Sequence, residues 1–288
     1  MLVGAIEAGG TKFICGVGTE QGEILEQISI PTRGPEETLK DVVDFFKGKE
    51  IERLGIGSFG PIQVNKTQPD YGSLLETPKT IWKHYPLLKH LEGHFPAGMP
   101  IVVDTDVNAA ALGEIKWGAA KGKDSCVYFT VGTGIGAGVF LNGKLLHGLM
   151  HPEAGHMFIK RHEMDDFSGC CPYHKDCLEG LASGTALKTR WGVDGTELTD
   201  DRAWELEGYY LAQAAVNAIV TYSPEKIIFG GGVSQRPGLI EQIQKQTLEL
   251  LNGYIKKNQI TDNIEDYISL PGLGSQAGLK GSLALVLD

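Results

Sequence analysis

The chain of 288 residues is short of positive charge: 26 Lys and Arg face 36 Asp and Glu, a formal net charge of −10. So acidic a chain lacks the cationic surface that neutralises a phosphate backbone, which sets nucleic acid aside as a partner. Long apolar runs are also missing. The mean hydropathy is −0.10, and no stretch approaches the ~20 apolar residues that span a bilayer, so no membrane partner is expected. The first seven residues show no basic region or cleavage site, so a cytoplasmic protein is expected. Cysteine is sparse and odd in number, at positions 15, 126, 170, 171 and 177, which argues against a disulfide framework. No GxxxxGK[ST] occurs, which excludes a P-loop.

What is present is glycine, 39 residues gathered into short corners. An apolar strand over 2–6 meets Ala8-Gly9-Gly10-Thr11-Lys12, and strands over 13–17 and 23–30 follow. Helical spacing covers 36–47, a strand 53–57 leads into Ser58-Phe59-Gly60-Pro61, and 61–86 reads as a long irregular loop. The pattern then recurs. A strand over 101–103 precedes an Ala-rich helix over 108–117, and a strand over 125–129 ends in Thr130-Val131-Gly132-Thr133-Gly134-Ile135-Gly136. The two corners stand about 123 residues apart, which predicts a duplicated architecture with a boundary near 115–120. Further elements are a helix over 203–221, a strand over 226–229, the corner Gly230-Gly231-Gly232, a helix over 239–257 and a last helix within 275–287.

The Gly132–Gly136 corner nominally fits a dinucleotide fingerprint, but that motif requires a helix directly afterwards. Asn142-Gly143 instead turns the chain within a few residues, which predicts a hairpin and opposes a dehydrogenase. A glycine-rich loop between strands offers backbone N–H groups to phosphate, or is a hairpin without a ligand; two matched loops favour a nucleotide.

Glu7 to Lys12 and Thr130 to Gly134 resemble the two phosphate motifs of the ROK sugar kinases, in the actin-like ATPase superfamily. Ser58 to Pro61, Thr77-Pro78-Lys79, Cys171-Pro172-Tyr173-His174 and Leu178 to Gly184 are similar to the bacterial fructokinase branch. ROK repressors carry an N-terminal helix-turn-helix domain; this chain begins with its first strand and so looks like an enzyme member. The resemblance implies an α/β, two-domain actin-like (ribonuclease H-like) fold with an inserted zinc-binding loop at 156–179. One domain would span 1–117, completed by a helix in 275–288, and the other 118–274, with a sugar in the cleft and a homodimer as the assembly.

Asp104-Thr105-Asp106-Val107-Asn108 places two acids where a strand hands over to a helix. Asp106 or Thr105 could serve there simply as an N-cap. The family motif Asp-x-Asn-Ala-Ala implies instead that Asp106 is the catalytic base, with Asp104 structural. Thr105 stands where many ROK glucokinases place a sugar-binding Asn, which points away from glucose. By the same resemblance Gly60, Thr105, Asp106, Glu153, His156 and Glu179 would bind sugar. Gly9, Gly10, Thr11, Lys12, Gly132, Thr133, Gly134, Gly231, Gly232 and Val233 would bind ATP. Glu7 replaces the commoner Asp and would hold Mg²⁺ through water.

His156, Cys171, His174 and Cys177 supply four N/S ligands in the pattern His…Cys-x-x-His-x-x-Cys, which suits a closed structural Zn²⁺ site. Cys170 is an alternative to Cys171 in that set. His147, His151 and His162 read as ordinary loop or surface histidines. The expected reaction is MgATP-dependent phosphorylation of D-fructose. A mannokinase or broad hexokinase and a non-catalytic sugar-binding regulator are its rivals.

Overall fold

The computed structural model describes residues 1–77 and 79–287, so Pro78 of the Thr77-Pro78-Lys79 motif lies outside the described residues. The chain forms two compact units: residues 1–122, 144–152 and Ser275 onward in unit 1, and residues 123–143 and 153–274 in unit 2.

Unit 1 opens with β1 (Leu2–Ala8), β2 (Lys12–Thr19) and β3 (Ile24–Pro31), an antiparallel meander, followed by α1 (Pro35–Phe46). β4 (Arg53–Ser58), α2 (Leu87–Glu92) and β5 (Ile101–Thr105) come next, and α3 (Asp106–Trp117) follows without a break. The sheet order is β3-β2-β1-β4-β5, with β1, β4 and β5 mutually parallel. Strand alternation assigns the two faces. Val3 and Ala5 pack against Leu279 and Leu283, while Ile6 and Ala8 join Phe13, Leu39, Val42 and Trp82 on the other side. Both faces of β1 are therefore covered, which accounts for its almost unbroken apolar run. The irregular stretch after β4 is not loosely held. Trp82 is fully buried, packs on Phe13 and Phe59 at ring distances of 5.4 and 5.8 Å, and donates to Arg33 O at 2.8 Å.

Unit 2 repeats the plan. β6 (Ser125–Val131) pairs antiparallel with β7 (Ile135–Leu141), in a register that runs from Ser125↔Leu141 to Val131↔Ile135. The corner between them is thus a hairpin, with no helix after the glycines. The two-residue strand β8 (Lys144–Leu145) begins the segment assigned to unit 1. α4 (Leu178–Ala182), α5 (Gly184–Trp191) and α6 (Asp201–Tyr222) precede β9 (Ile227–Gly230) and α7 (Leu239–Leu251). α8 (Asn258–Thr261), α9 (Ile264–Tyr267) and β10 (Ile268–Ser269) complete the unit, and α10 (Ala277–Ala284) belongs to unit 1. β6 is parallel to β9, and β9 to β10, matching the β1-β4-β5 arrangement. α7 is shorter than the spacing predicts, because Asn252 and Gly253 adopt φ of 46° and 73° and end the helix at Leu251. Among the described residues, no helix is long and apolar enough to cross a membrane.

Candidate active site

The parallel strands of unit 1 bring three chain segments to one sheet edge. In register, Ala8 faces Ser58 and Ser58 faces Thr105, so Glu7, Phe59-Gly60 and Asp106 all lie at the carboxyl ends of adjacent strands. That edge is where open α/β sheets bind ligands. The β1–β2 corner is tight: Gly9 N donates to Lys12 O at 3.0 Å, and a Cβ on Gly9 would stand 2.7 Å from that oxygen. Thr32 Oγ1 donates to Gly9 O, and Thr11 and Lys12 remain exposed. Phe59 N donates to Ala8 O at 2.7 Å, and Gly60-Pro61 is a cis peptide.

At the start of α3 the capping role falls to Thr105. Its buried Oγ1 accepts from Asn108 N at 3.2 Å, so Asp106 occupies the first helical position instead. Asp106 is half-buried, with Oδ1 accepting from Val107 N at 2.9 Å. Burial raises Glu7 to about 7, the neighbouring Asp106 charge adds to the rise, and Lys12 opposes it. Glu7 Oε2 has no hydrogen-bond partner among the described residues.

His147, His151 and His162 all lie in loops, as expected, but His151 and His147 are not ordinary surface groups. His151 is only 8% exposed, and desolvation lowers it to about 4, so it is a neutral buried imidazole. His147 Nε2 stands 2.8 Å from Asp104 Oδ2, and that hydrogen bond, opposed by desolvation, raises the imidazole. Asp104 Oδ1 accepts in addition from Thr105 N and Asn108 Nδ2, at 2.7 and 2.8 Å. A buried acid needs such partners. The signal was therefore Asp104 itself: an acid at the end of an apolar strand implies a cation or donors from elsewhere in the chain.

In unit 2 the Gly132–Gly134 corner rests on α5. Gly184 N donates to Gly132 O at 2.7 Å, and Thr185 Oγ1 donates to Thr133 O at 2.8 Å. Beside it lies a cavity of 830 Å³ lined in part by Gly132, Thr133, Gly184, Thr185, Gly232 and Val233. Gly134 and Gly231 serve the protein's own packing. A Cβ on Gly231, at φ 86°, would stand 2.3 Å from Val131 O. A Cβ on Gly134 would stand 2.6 Å from Glu179 Oε2, the oxygen that accepts from Ile135 N at 2.9 Å.

Glu179 belongs to a second cluster. Burial and the Glu179 charge raise the Glu153 carboxyl, opposed by His156. His156 Nε2 stands 3.9 Å from Glu179 Oε1, while its Nδ1 faces Cys177 Sγ at 3.5 Å and Cys171 Sγ at 3.7 Å. Cys171 Sγ lies 3.8 Å from His174 Nδ1, and all four donor atoms fall within 4.8 Å of one another. A tetrahedral zinc with bonds of about 2.0–2.3 Å separates its donors by about 3.3–3.8 Å, so these residues fit that ion. Cys171 is the member of the group; Cys170 stands outside it, with its thiol raised by burial.

The ROK family model matches residues 3–288. The chain is 44% identical over 286 residues to a fructokinase of Pediococcus pentosaceus, covering 99% of this chain and 97% of the relative. It is 43% identical over 296 residues to a fructokinase of Zymomonas mobilis subsp. mobilis, covering 99% and 96%. Among solved structures it is similar to a ROK family glucokinase from Streptomyces griseus in complex with glucose and AMPPNP. That likeness has a TM-score of 0.76 and 25% identity, and covers 99% of each chain.

Proposed function

The chain belongs to the ROK family, and from that premise we propose that it is an ATP-dependent fructokinase, transferring the γ-phosphoryl group to the 6-hydroxyl of D-fructose. The observation that carries the chemistry is the division of labour at the start of α3. Thr105 caps the helix, so Asp106 is not needed for that task and sits at the carboxyl edge of the sheet near Glu7. Fructose as acceptor rests on the 43–44% identity to fructokinases across nearly the whole chain.

The Asp106 carboxylate orients the attacking hydroxyl and takes its proton as the bond to phosphorus forms. The β1–β2 corner, through the backbone N–H groups of Gly10–Lys12, and the β6–β7 corner, through those of Thr133 and Gly134, serve the phosphates, and the 830 Å³ cavity lined in part by Gly232 and Val233, next to Gly231, takes the nucleoside. Mg²⁺, when bound, neutralises developing phosphate charge; Glu7 Oε2, buried without a hydrogen-bond partner among the described residues, fits a role in holding it through water. In unit 2, Glu153, His156 and Glu179 accept from or donate to sugar hydroxyls, while Gly60 and Thr105 bound the acceptor site in unit 1. His156, Cys171, His174 and Cys177 hold a structural Zn²⁺ that fixes the ring whose Nε2 faces Glu179. The same premise carries the expectation of a cytoplasmic homodimer, checked by light scattering.

ADP release in a coupled assay with MgATP, across fructose, mannose, glucose and N-acetylhexosamines, tests the proposal. A preference for fructose supports it. Equal rates on mannose make the protein a broad hexokinase, and no turnover in zinc-replete protein makes it a sugar-binding regulator.

A further inference from the structure

Glu7 is one methylene longer than the Asp commonly found at its position in the resemblance drawn above, and the structure shows where the extra length goes. The carboxylate reaches the first turn of α10 and accepts from the backbone N–H of Leu279, the third residue of that helix. This is the orphan donor that a capping side chain ordinarily satisfies. α10 has no side-chain cap of its own, since Gln276 occupies the N-cap position without a hydrogen bond. Glu7, from β1, fills that role.

The reach is allowed by a missing Cβ. A side chain at Gly278 would stand 2.4 Å from Glu7 Cδ and 2.9 Å from Oε2. Distances below 3.0 Å require movement, and the atoms that would move are the flexible end of the Glu7 side chain, its carboxylate.

α10 is itself fixed against the catalytic turn. Ser282 Oγ donates to Gly278 O at 2.8 Å and accepts from Gly57 N at 3.1 Å. A Cβ on Gly281 would overlap Ala109 O, which lies in the first turn of α3 after Asp106. Glu7 and Asp106 are therefore both referenced to one short helix.

We propose that Gly278 and Leu279 are positioning residues for phosphoryl transfer: the glycine gap and the Leu279 N–H set where the Glu7 carboxylate stands relative to the start of α3. They act through Glu7 and touch no substrate. The inference deepens the kinase reading above and rests on it for its catalytic consequence alone.

The test is a cycle of Gly278→Ala, Glu7→Asp and the double variant, read in three ways. Thermal unfolding of the nucleotide-free protein needs no activity. The other readings are kcat and the Mg²⁺ concentration giving half-maximal rate. Gly278→Ala displaces the carboxylate by about 1 Å and is expected to lower kcat on the order of 10²-fold, with a raised Mg²⁺ requirement. Shortening Glu7 removes the overlap, so the double variant regains at least about 10-fold in kcat over Gly278→Ala and unfolds at a higher temperature than it does. A double variant no better than Gly278→Ala in all three readings overturns the proposal, because a purely structural Gly278 would not be rescued at Glu7. Should Gly278→Ala fail to fold, recovery of a folded protein in the double variant supports the proposal and continued failure overturns it. If the wild type phosphorylates no sugar, the kinase reading fails, and the unfolding comparison still decides whether Glu7 fills the Gly278 gap.

Discussion

Glu7 in unit 1 and Glu179 in unit 2 are seated alike and backed differently. Each carboxylate fills the space a glycine leaves open, Gly278 for Glu7 and Gly134 for Glu179, and each accepts the backbone N–H of the next residue, Leu279 or Ile135. A fixed N–H and a missing Cβ together define a carboxylate position without a long salt bridge. The difference lies behind the seat. Glu7 meets a helix end and the Asp106 carboxylate, and burial raises it to about 7. Glu179 has His156 on its other side, in a ring that also faces two thiols. The first arrangement suits a group answering to a cation. The second suits an acceptor that must be rigid before a neutral hydroxyl arrives.

Asp106→Asn provides the reference for both seats, because it removes the proposed base and leaves each seat intact. kcat should fall about 10²–10⁴-fold, with sugar affinity left partly intact. Chelation of the zinc proposed at the His-Cys set should act on the Glu179 side alone, lowering the unfolding temperature and raising fructose KM while Mg²⁺ dependence is unchanged. Gly134→Ala should displace Glu179 and raise fructose KM by about 10–100-fold, the worth of one charge-assisted hydrogen bond. Glu179→Asp in the same chain should recover part of that loss. If Gly134→Ala changes ATP KM alone, the glycine serves the nucleotide and the parallel between the seats breaks.

The smallest effect concerns His147, whose folded pKa is raised chiefly by its hydrogen bond to Asp104. The imidazolium pair stabilises the fold fully below the unfolded value near 6.5, and that contribution is lost as pH rises through the raised folded value. His147→Gln should therefore cost about 1 kcal/mol near pH 6 and much less at pH 9, measured by urea unfolding. A cost equal at both values would show packing rather than charge.

The duplicated sheet was legible because strand, glycine corner and strand recur with the same apolar patterning, and local hydrophobic periodicity is what a sequence displays best. The His-Cys set was legible because four soft ligands at short spacing have few other uses in a chain without disulfides. What stayed hidden depended on contacts between distant segments. Nothing near His147 announces Asp104, 43 residues earlier. Gly278 reads as an ordinary helix residue until β1 brings Glu7 against it. Gly134 reads as part of a phosphate loop and Gly231 as a residue under the nucleotide; that folding also uses their missing Cβ atoms, for Glu179 and Val131, depends on contacts the sequence does not display. The early end of α7 turned on the left-handed conformation of Asn252, which composition alone does not force.

The proposed reaction transfers one phosphoryl group from ATP to the 6-hydroxyl of fructose. ³¹P and ¹³C NMR of the product formed by zinc-replete protein with MgATP and D-fructose reads it directly. Fructose 6-phosphate in one-to-one ratio with ADP is the expected product. Fructose phosphorylated at another hydroxyl, or ADP released without a sugar phosphate, would contradict it.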